Sequence, residues 1–391
     1  MSQKTQQLHT AAIFEIDSAS IGVSVIGYSL SEKFPEREYM SSRIELDTHL
    51  PFEMFFSPTI KVLTKLAHEA QQQSPAIEHI YVSLSSPWVS SQKRVSHYKQ
   101  EEAFVVTDKL ISQVIEKELS ESLSKNLDYH TDHNQLEIFE RRTVDVYVNG
   151  YPTHSPVSKK KVTTLDIYSI TSVLSTTTKD AFIHALQRVF HQDPILISNT
   201  FVLYESTKRF LPHENSISII DVGGTNTEMF VVHDDHLKQI ARFPVGKNHI
   251  LEYVSSELSI SIEKAQHIVS LYMQKSIDPQ YKKQLTELMS KAYKIWLREW
   301  YTICDRLSQE KLLPSTICLV ASKEMSAWLR FHILATDELK EHLHTQRAVQ
   351  VIEFPYYLRL KADEEKKLHI SDSEMLPVID LVADLLHTPY E

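Results

Sequence analysis

Apolar positions near the start of the chain fall in two runs, 10–16 and 21–28, parted by the polar tetrad Asp17-Ser18-Ala19-Ser20. Runs of this length, rich in Ile and Val and bounded by small polar residues, predict strand, turn, strand. The same shape returns in the second half of the chain. There Ile217-Ser218-Ile219-Ile220 and Met229-Phe230-Val231-Val232 flank Asp221-Val222-Gly223-Gly224-Thr225-Asn226-Thr227-Glu228. Each unit carries an acidic residue where its first strand ends. Two such units predict a duplicated architecture with a ligand held between the halves. At the second unit a plain hairpin turn is the alternative, since a Gly-Gly pair by itself also fits that.

Elsewhere the pattern switches between the two periods. Phe55, Ile60, Leu63, Leu66 and Ala70 give 54–73 a helical stripe, and 77–84 reads as a strand ending in Ser85-Ser86-Pro87-Trp88. A threonine-capped amphipathic helix is predicted over 107–119, strands over 136–148 and 161–170, and a helix over 178–190. Residues 77–170 thus read strand, helix, strand, strand, a compact α+β insertion. Beyond the Gly-Gly unit come a strand at 237–245 and a long helical tract from 248 to 313. Leu251, Val254, Leu258, Ile262, Ala265, Val269 and Tyr272 form one stripe of it, and Trp296, Trp300, Ile303 and Leu307 another. Both read as core stripes. A buried strand at 315–321, a helix at 323–334, a strand at 349–354 and a helix at 376–386 complete the pattern.

Composition sharpens one point. Glycine occurs six times in 391 residues, where ordinary usage would give about 27, so the pair at 223–224 marks a place where little else serves. Glycine lets backbone N–H groups converge on an oxygen-rich ligand with no Cβ in the way. A neighbouring Asp can hold a hydrated metal ion beside a phosphate. Length predicts two or more domains, or one domain with insertions. Hydrophobic content of 42% with 24% charged residues is that of a soluble globular chain with a full core. A net charge of −10 argues against a nucleic-acid binder and against adhesion to anionic lipid. No apolar run approaches the ~20 residues that span a bilayer, and residues 1–10 lack a signal peptide's apolar core, so a cytoplasmic location is expected. Cys304 and Cys318 read as reduced core thiols, the twenty histidines as surface and boundary residues, and Lys159-Lys160-Lys161 as a solvated turn.

Four stretches carry a resemblance to the actin-like ATPases of bacteria, in the branch of the division protein FtsA and the pilus-assembly protein PilM. The segment Ile219 to Glu228 resembles that superfamily's second phosphate-binding hairpin. Ala241-Arg242-Phe243-Pro244-Val245-Gly246-Lys247-Asn248-His249-Ile250 resembles the segment after it, and Leu258 to Ala265 the following helix–turn–helix start. Ile80-Tyr81-Val82-Ser83-Leu84-Ser85-Ser86-Pro87-Trp88 resembles the first strand of the α+β insertion that marks the branch. The resemblance implies ATP and Mg²⁺ between two lobes, with Glu15, Ser18, Ser20, Asp221, Gly223, Gly224 and Thr225 as cofactor-binding residues and Asp221 on the metal. It implies no catalytic base.

Departures from the family pattern weigh against turnover. The first hairpin's Asp-Ile-Gly-Ser falls on Glu15-Ile16-Asp17-Ser18, which puts a carboxylate where γ-phosphate oxygens should rest. Two like charges ~4 Å apart repel by about 1 kcal/mol in water and nearer 4 kcal/mol at an effective dielectric of about 20. A register with Asp17 as the family Asp is the alternative. Gln266 and Val269 stand where the family places a Glu and a Lys near the adenosine, and Leu319-Val320-Ala321-Ser322-Lys323 lacks the family's Gly-Gly.

The resemblance implies an α/β, actin-like (ribonuclease H-like) two-lobed fold with an inserted α+β subdomain. The expected division is 1–76 and 171–213 in the first lobe, with 77–170 inserted. Residues 214–250 and 315–360 belong to the second lobe, 251–314 form its helical subdomain, and 361–391 return to the first lobe. The expected function is a cytoplasmic scaffold, at most a weak ATPase, that recruits or orients a membrane-associated assembly in cell division or type IV pilus formation. Its partner would be the cytoplasmic segment of a membrane protein or another division or pilus component, with self-association left open. Neither nucleic acid nor direct membrane insertion is expected. The C-terminal helix carries Asp380 and Asp384 with no Lys or Arg, unlike the basic membrane tail of FtsA, and is expected to pack on the first lobe. The alternative is an active ATP-dependent phosphotransferase or ATPase of the actin/hexokinase superfamily.

Overall fold

The first two apolar runs form β1 (His9–Ile16) and β2 (Ser20–Tyr28), an antiparallel hairpin, in a computed structural model that describes residues 8–29, 35–46, 52–74, 76–125, 136–153, 161–309, 312–364 and 370–387. β2 is buried along its whole length, as a run apolar on both faces requires. An edge strand, β3 (Arg37–Glu45), pairs with β2. It is half-buried and mostly polar, so no apolar alternation announces it. Helix α1 (Phe52–Gln73) covers this sheet, and β4 (His79–Leu84) runs parallel beside β1. Expected as the opening strand of the insertion, β4 is instead an inner strand of the first sheet. Its Ile-Tyr-Val-Ser-Leu run is what burial on both faces selects.

The inserted unit then follows: β5 (Val89–Val105), α2 (Asp108–Lys125), β6 (Leu136–Val148), β7 (Tyr151–Thr153) and β8 (Lys161–Ser175). Its antiparallel sheet has the order β5-β8-β6-β7, and α2 packs Val114 and Ile115 against the face bearing Leu165 and Ile167. Thr107 caps α2 as expected, its Oγ1 accepting from the Leu110 N–H at 3.1 Å. β5 escaped the sequence reading because long stretches of it are polar and exposed. Lys159 and Lys160 lie outside the described residues. The chain re-enters the first lobe through α3 (Thr176–Phe190), β9 (Ile195–Ser198) and α4 (Asn199–Phe210), completing the order β3-β2-β1-β4-β9.

The second half repeats that connectivity. An antiparallel meander of β10 (Ile217–Val222), β11 (Thr227–His233) and β12 (His236–Phe243) precedes helices α5 (Lys247–Leu258), α6 (Ile262–Met273) and α7 (Pro279–Leu307). Then come β13 (Thr316–Val320), α8 (Lys323–Leu334), α9 (Leu339–His342), β14 (Gln350–Glu353), α10 (Phe354–Glu364) and α11 (Leu376–His387). The sheet order is β12-β11-β10-β13-β14, with β13 and β14 parallel to β10. The single tract expected over 248–313 divides at Ser259 (φ 51°) and Lys275 (φ 60°), and restarts where the Asp278 carboxylate accepts from Gln280 N–H at 3.0 Å ahead of Pro279.

Strand alternation sorts the core into layers. In β1, Ala12, Phe14 and Ile16 face α1 and α3, whereas Ala11 and Ile13 face the other lobe. In β10, Ile220 and Val222 face α5 and α7, whereas Ile217 and Ile219 face inward. Between the two inward faces lie α4 and α11, with Phe201 and Leu203 packed among Val378, Ile379 and Leu381. Helix α11 is thus buried between the two sheets, and its Asp380 is satisfied by Arg209 at 3.0 Å and Ser206 Oγ at 3.2 Å. The insertion is tied to both halves. Glu140 accepts from the Ser198 N–H at 3.0 Å, while Asp145 meets His236 at 2.7 Å and Lys93 Nζ donates to the Lys238 carbonyl at 3.1 Å.

Trp296, fully buried, anchors the helical layer of the second lobe among Phe243, Tyr293 and Trp300. Its Nε1 donates to Thr227 Oγ1 at 3.0 Å, and that hydroxyl donates to the Val245 carbonyl at 2.7 Å. Trp296→Ala should lower the unfolding free energy by about 3–5 kcal/mol in urea titration, through the cavity and the lost partner. Trp296→Phe, which keeps most of the packing, should cost distinctly less.

Candidate functional site

The two hairpins superimpose residue for residue in their hydrogen bonding. In the first, Glu15 pairs with Gly22, Ile16 with Ile21, and the Asp17 N–H donates to the Ser20 carbonyl at 3.0 Å. In the second, Asp221 pairs with Glu228, Val222 with Thr227, and the Gly223 N–H donates to the Asn226 carbonyl at 3.0 Å. Glu15 therefore corresponds to Asp221, Asp17 to Gly223 and Ser18 to Gly224. The register with Asp17 as the strand-end acid is not the one adopted, because Asp17 already lies in the turn.

The turns touch. Thr225 N–H donates to Ser18 Oγ at 3.0 Å, and Asn226 Nδ2 donates to Ser86 Oγ at 2.9 Å. A Cβ added at Gly224 would lie 2.7 Å from Ser18 Oγ and 2.8 Å from the Ala19 Cβ, and one at Gly223 would lie 3.0 Å from Asp17 Oδ1. Neither glycine has a positive φ, so the pair is kept for close approach. On its far side the second turn caps α5, the Gly223 and Gly224 carbonyls accepting from Lys247 N–H at 2.9 Å and Asn248 N–H at 2.8 Å. Gly246 has to be glycine there, since its Cβ would run into both carbonyl groups.

Around this contact the charges are mostly negative. Arg43, from the unpredicted strand β3, is a cation among them. Its guanidinium meets Glu15 at 2.6 Å, Asp372 at 2.7 Å and Glu374 at 3.8 Å, and donates to Ser20 Oγ at 2.9 Å. Burial opposes the Arg43 charge, but these carboxylates outweigh it and raise its pKa. Asn199 Nδ2 donates to Asp221 at 2.9 Å. Burial, then Asp17, Glu228 and Glu15, push the Asp221 carboxyl well above the usual range. Burial also raises Asp17, against the N–H groups of its own turn, and raises Glu228 to about 7 against Arg242. Trp88 Nε1 donates to the Asp17 carbonyl at 3.2 Å, steadying the turn.

All seven sequence-predicted residues thus stand at one junction: Glu15, Ser18, Ser20, Asp221, Gly223, Gly224 and Thr225. Arg43, Asn199, Trp88 and the turn 372–374 were missed. They arrive from distant elements, and only the unmatched carboxylate of Glu15 hinted at a buried counter-charge. Beside the junction a cavity of about 60 Å³ is lined by Glu15, Asp17, Arg43, Asn199, Asp221 and Glu374. A water needs roughly 10–15 Å³, so there is room for a few waters. Val269 is buried in the core, and Val320 and Ala321 present side chains to the cavity wall. Among the described residues no group of three or more His, Cys, Asp or Glu is disposed to hold a metal ion. The residues present do not fit ATP with Mg²⁺ in this arrangement: the Thr225 N–H is spent on Ser18, and the Asp17 carboxylate stands at the opening of the second turn.

No protein-family model and no curated protein matches the chain. Solved structures do. The "PilM-PilN type IV pilus biogenesis complex" matches with a TM-score of 0.64 at 12% identity, covering 97% of this chain and 99% of the other. The ethanolamine utilization protein EutJ of Carboxydothermus hydrogenoformans gives 0.45 at 10% identity, with 96% and 89% covered. A Bacteroides thetaiotaomicron protein described as having an actin-like ATPase fold gives 0.42 at 10% identity, with 97% and 98% covered. The chain has an actin-like, two-lobed α/β fold, and at these identities the likeness extends to the fold alone.

The raised carboxyls set a pH dependence with a definite sign. Folded Glu228 holds a proton up to about 7, where the ordinary value is 4.5. Its contribution is complete below 4.5 and is lost as pH rises through 7, because the folded chain then binds more protons than the unfolded one. Urea unfolding should show stability falling by roughly 1–3 kcal/mol between pH 5 and pH 8. Glu228→Gln should flatten that slope, and a slope unchanged by the substitution would count against the assignment.

Proposed function

We propose that the chain is a scaffold of the FtsA/PilM-like branch, nearer the pilus-assembly side. It works at the inner face of a membrane by holding the cytoplasmic segment of a membrane-protein partner. The observation that carries this reading is the end-to-end likeness, inserted unit included, to a chain solved in a PilM-PilN pilus biogenesis complex. One feature supports the pilus side over the division side. The apolar surface of α11 is spent between the lobes, which leaves that helix no membrane-binding face. No helix among the described residues is long and apolar enough to cross a membrane.

The inserted sheet is the docking surface in this reading. Its outer edge is the short strand β7, where Tyr151 is 74% exposed. An extended peptide can add to such an edge through backbone hydrogen bonds, with an aromatic neighbour gripping its side chains. The phosphotransferase alternative has less support, since the two turns where phosphates would sit are in contact through the Thr225 N–H and Ser18 Oγ.

Fluorescently labelled cytoplasmic segments of pilus-platform membrane proteins from the same genome, titrated with the full chain, test the reading. Saturable binding is expected, weakened about ten-fold or more by Tyr151→Ser. Absence of binding, or binding indifferent to substitutions on the inserted sheet, would overturn it.

A further inference from the structure

We propose that the cleft between the lobes is closed by the chain's own oxygen atoms, which take the place of a nucleotide's phosphates. The protein is then held shut without any ligand and does not take up ATP with Mg²⁺. This inference is independent of which partner the inserted sheet holds.

A phosphate cradle needs backbone N–H groups that are free and aimed at a common point. In the second hairpin the Gly223 N–H is committed to the Asn226 carbonyl and the Thr225 N–H to Ser18 Oγ. Ser18 stands where the second hairpin has Gly224, so it is the first hairpin that supplies the acceptor. Its side chain is fully buried. Next to it, Asp17 places a carboxylate oxygen 3.0 Å from the point a Gly223 Cβ would occupy. A carboxyl oxygen and a hydroxyl oxygen thus fill the mouth of the turn, as two phosphate oxygens would.

Sterics make the closure tight. The clearances at Gly224, 2.7 Å and 2.8 Å to Ser18 and Ala19, leave no space for a third group between the turns. Further links close the cleft from other sides. Lys247 of the second lobe meets Glu45 of the first at 3.0 Å, and Asn226 reaches Ser86. Arg43 ties β3 to the turn before α11 through Asp372. Met375, from that turn, packs where a Gly22 side chain would project, its Sδ 2.8 Å from the added Cβ.

Hydrogen exchange on the full chain, with and without ATP–Mg²⁺, tests the proposal. In the wild type the amides of 223–226 should be protected, ATP–Mg²⁺ should not change that protection, and calorimetric titration should give no heat of binding. Ser18→Ala removes the acceptor and should speed exchange at Thr225 about ten-fold. Gly224→Ala, which forces the turns apart, should speed exchange across the whole turn. Micromolar binding of ATP–Mg²⁺, or added protection at 223–226 when it is present, would overturn the proposal. So would an unchanged Thr225 rate in a folded Ser18→Ala protein.

Discussion

A methyl group at Gly224 would fall within 2.8 Å of Ser18 and Ala19, and that single clearance governs how the two halves of the molecule meet. Close contact of two turns is achievable only where one side lacks a Cβ. Once it is made, the Thr225 N–H has Ser18 Oγ as its partner at 3.0 Å, and β1 and β10 are held end to end. The second turn then becomes the floor for α5, whose first N–H groups are satisfied by the Gly223 and Gly224 carbonyls. Through Thr227 the same turn reaches Trp296 and the helical layer. A few residues of backbone geometry thus couple the interlobe junction to the core of the second lobe.

The junction is electrostatically expensive and is stabilised in an uneven way. Glu15, Asp17, Asp221 and Glu228 are all buried enough for desolvation to raise their pKa values. Arg43 answers for one side of the cluster only. Asp221 has an amide, Asn199, in place of a cation, and its carboxyl is driven toward the neutral form. Buried charge is weak grounds for stability. Its role here is to fix which groups face each other across the cleft.

Beyond the junction the lobes share a core. α4 and α11 are packed from both sides, so separating the sheets would expose Ile13, Ile219, Val378 and their neighbours together. The inserted sheet spans the same divide, bonded to the first lobe through Glu140 and to the second through Asp145 and Lys93. The inserted sheet is therefore coupled to both lobes.

Much of the architecture was legible because duplication writes itself twice. Two apolar runs around a short polar turn, each with a strand-end acid, announced the paired hairpins, and the stripes at 251–272 and 296–307 announced the helical layer. What escaped was whatever long-range pairing makes into structure. β3 and β5 are polar strands stabilised by their neighbours in the sheet, and β4 joined the first sheet because β1 and β9 lie on either side of it. The hairpins, the glycine pair and the surplus of carboxylates are written in local residues, since backbone sterics and charge are local properties. What the glycines serve is settled by the assembled fold. The distance between two turns far apart in the chain is set by the shared core, and no local pattern records that they close on each other.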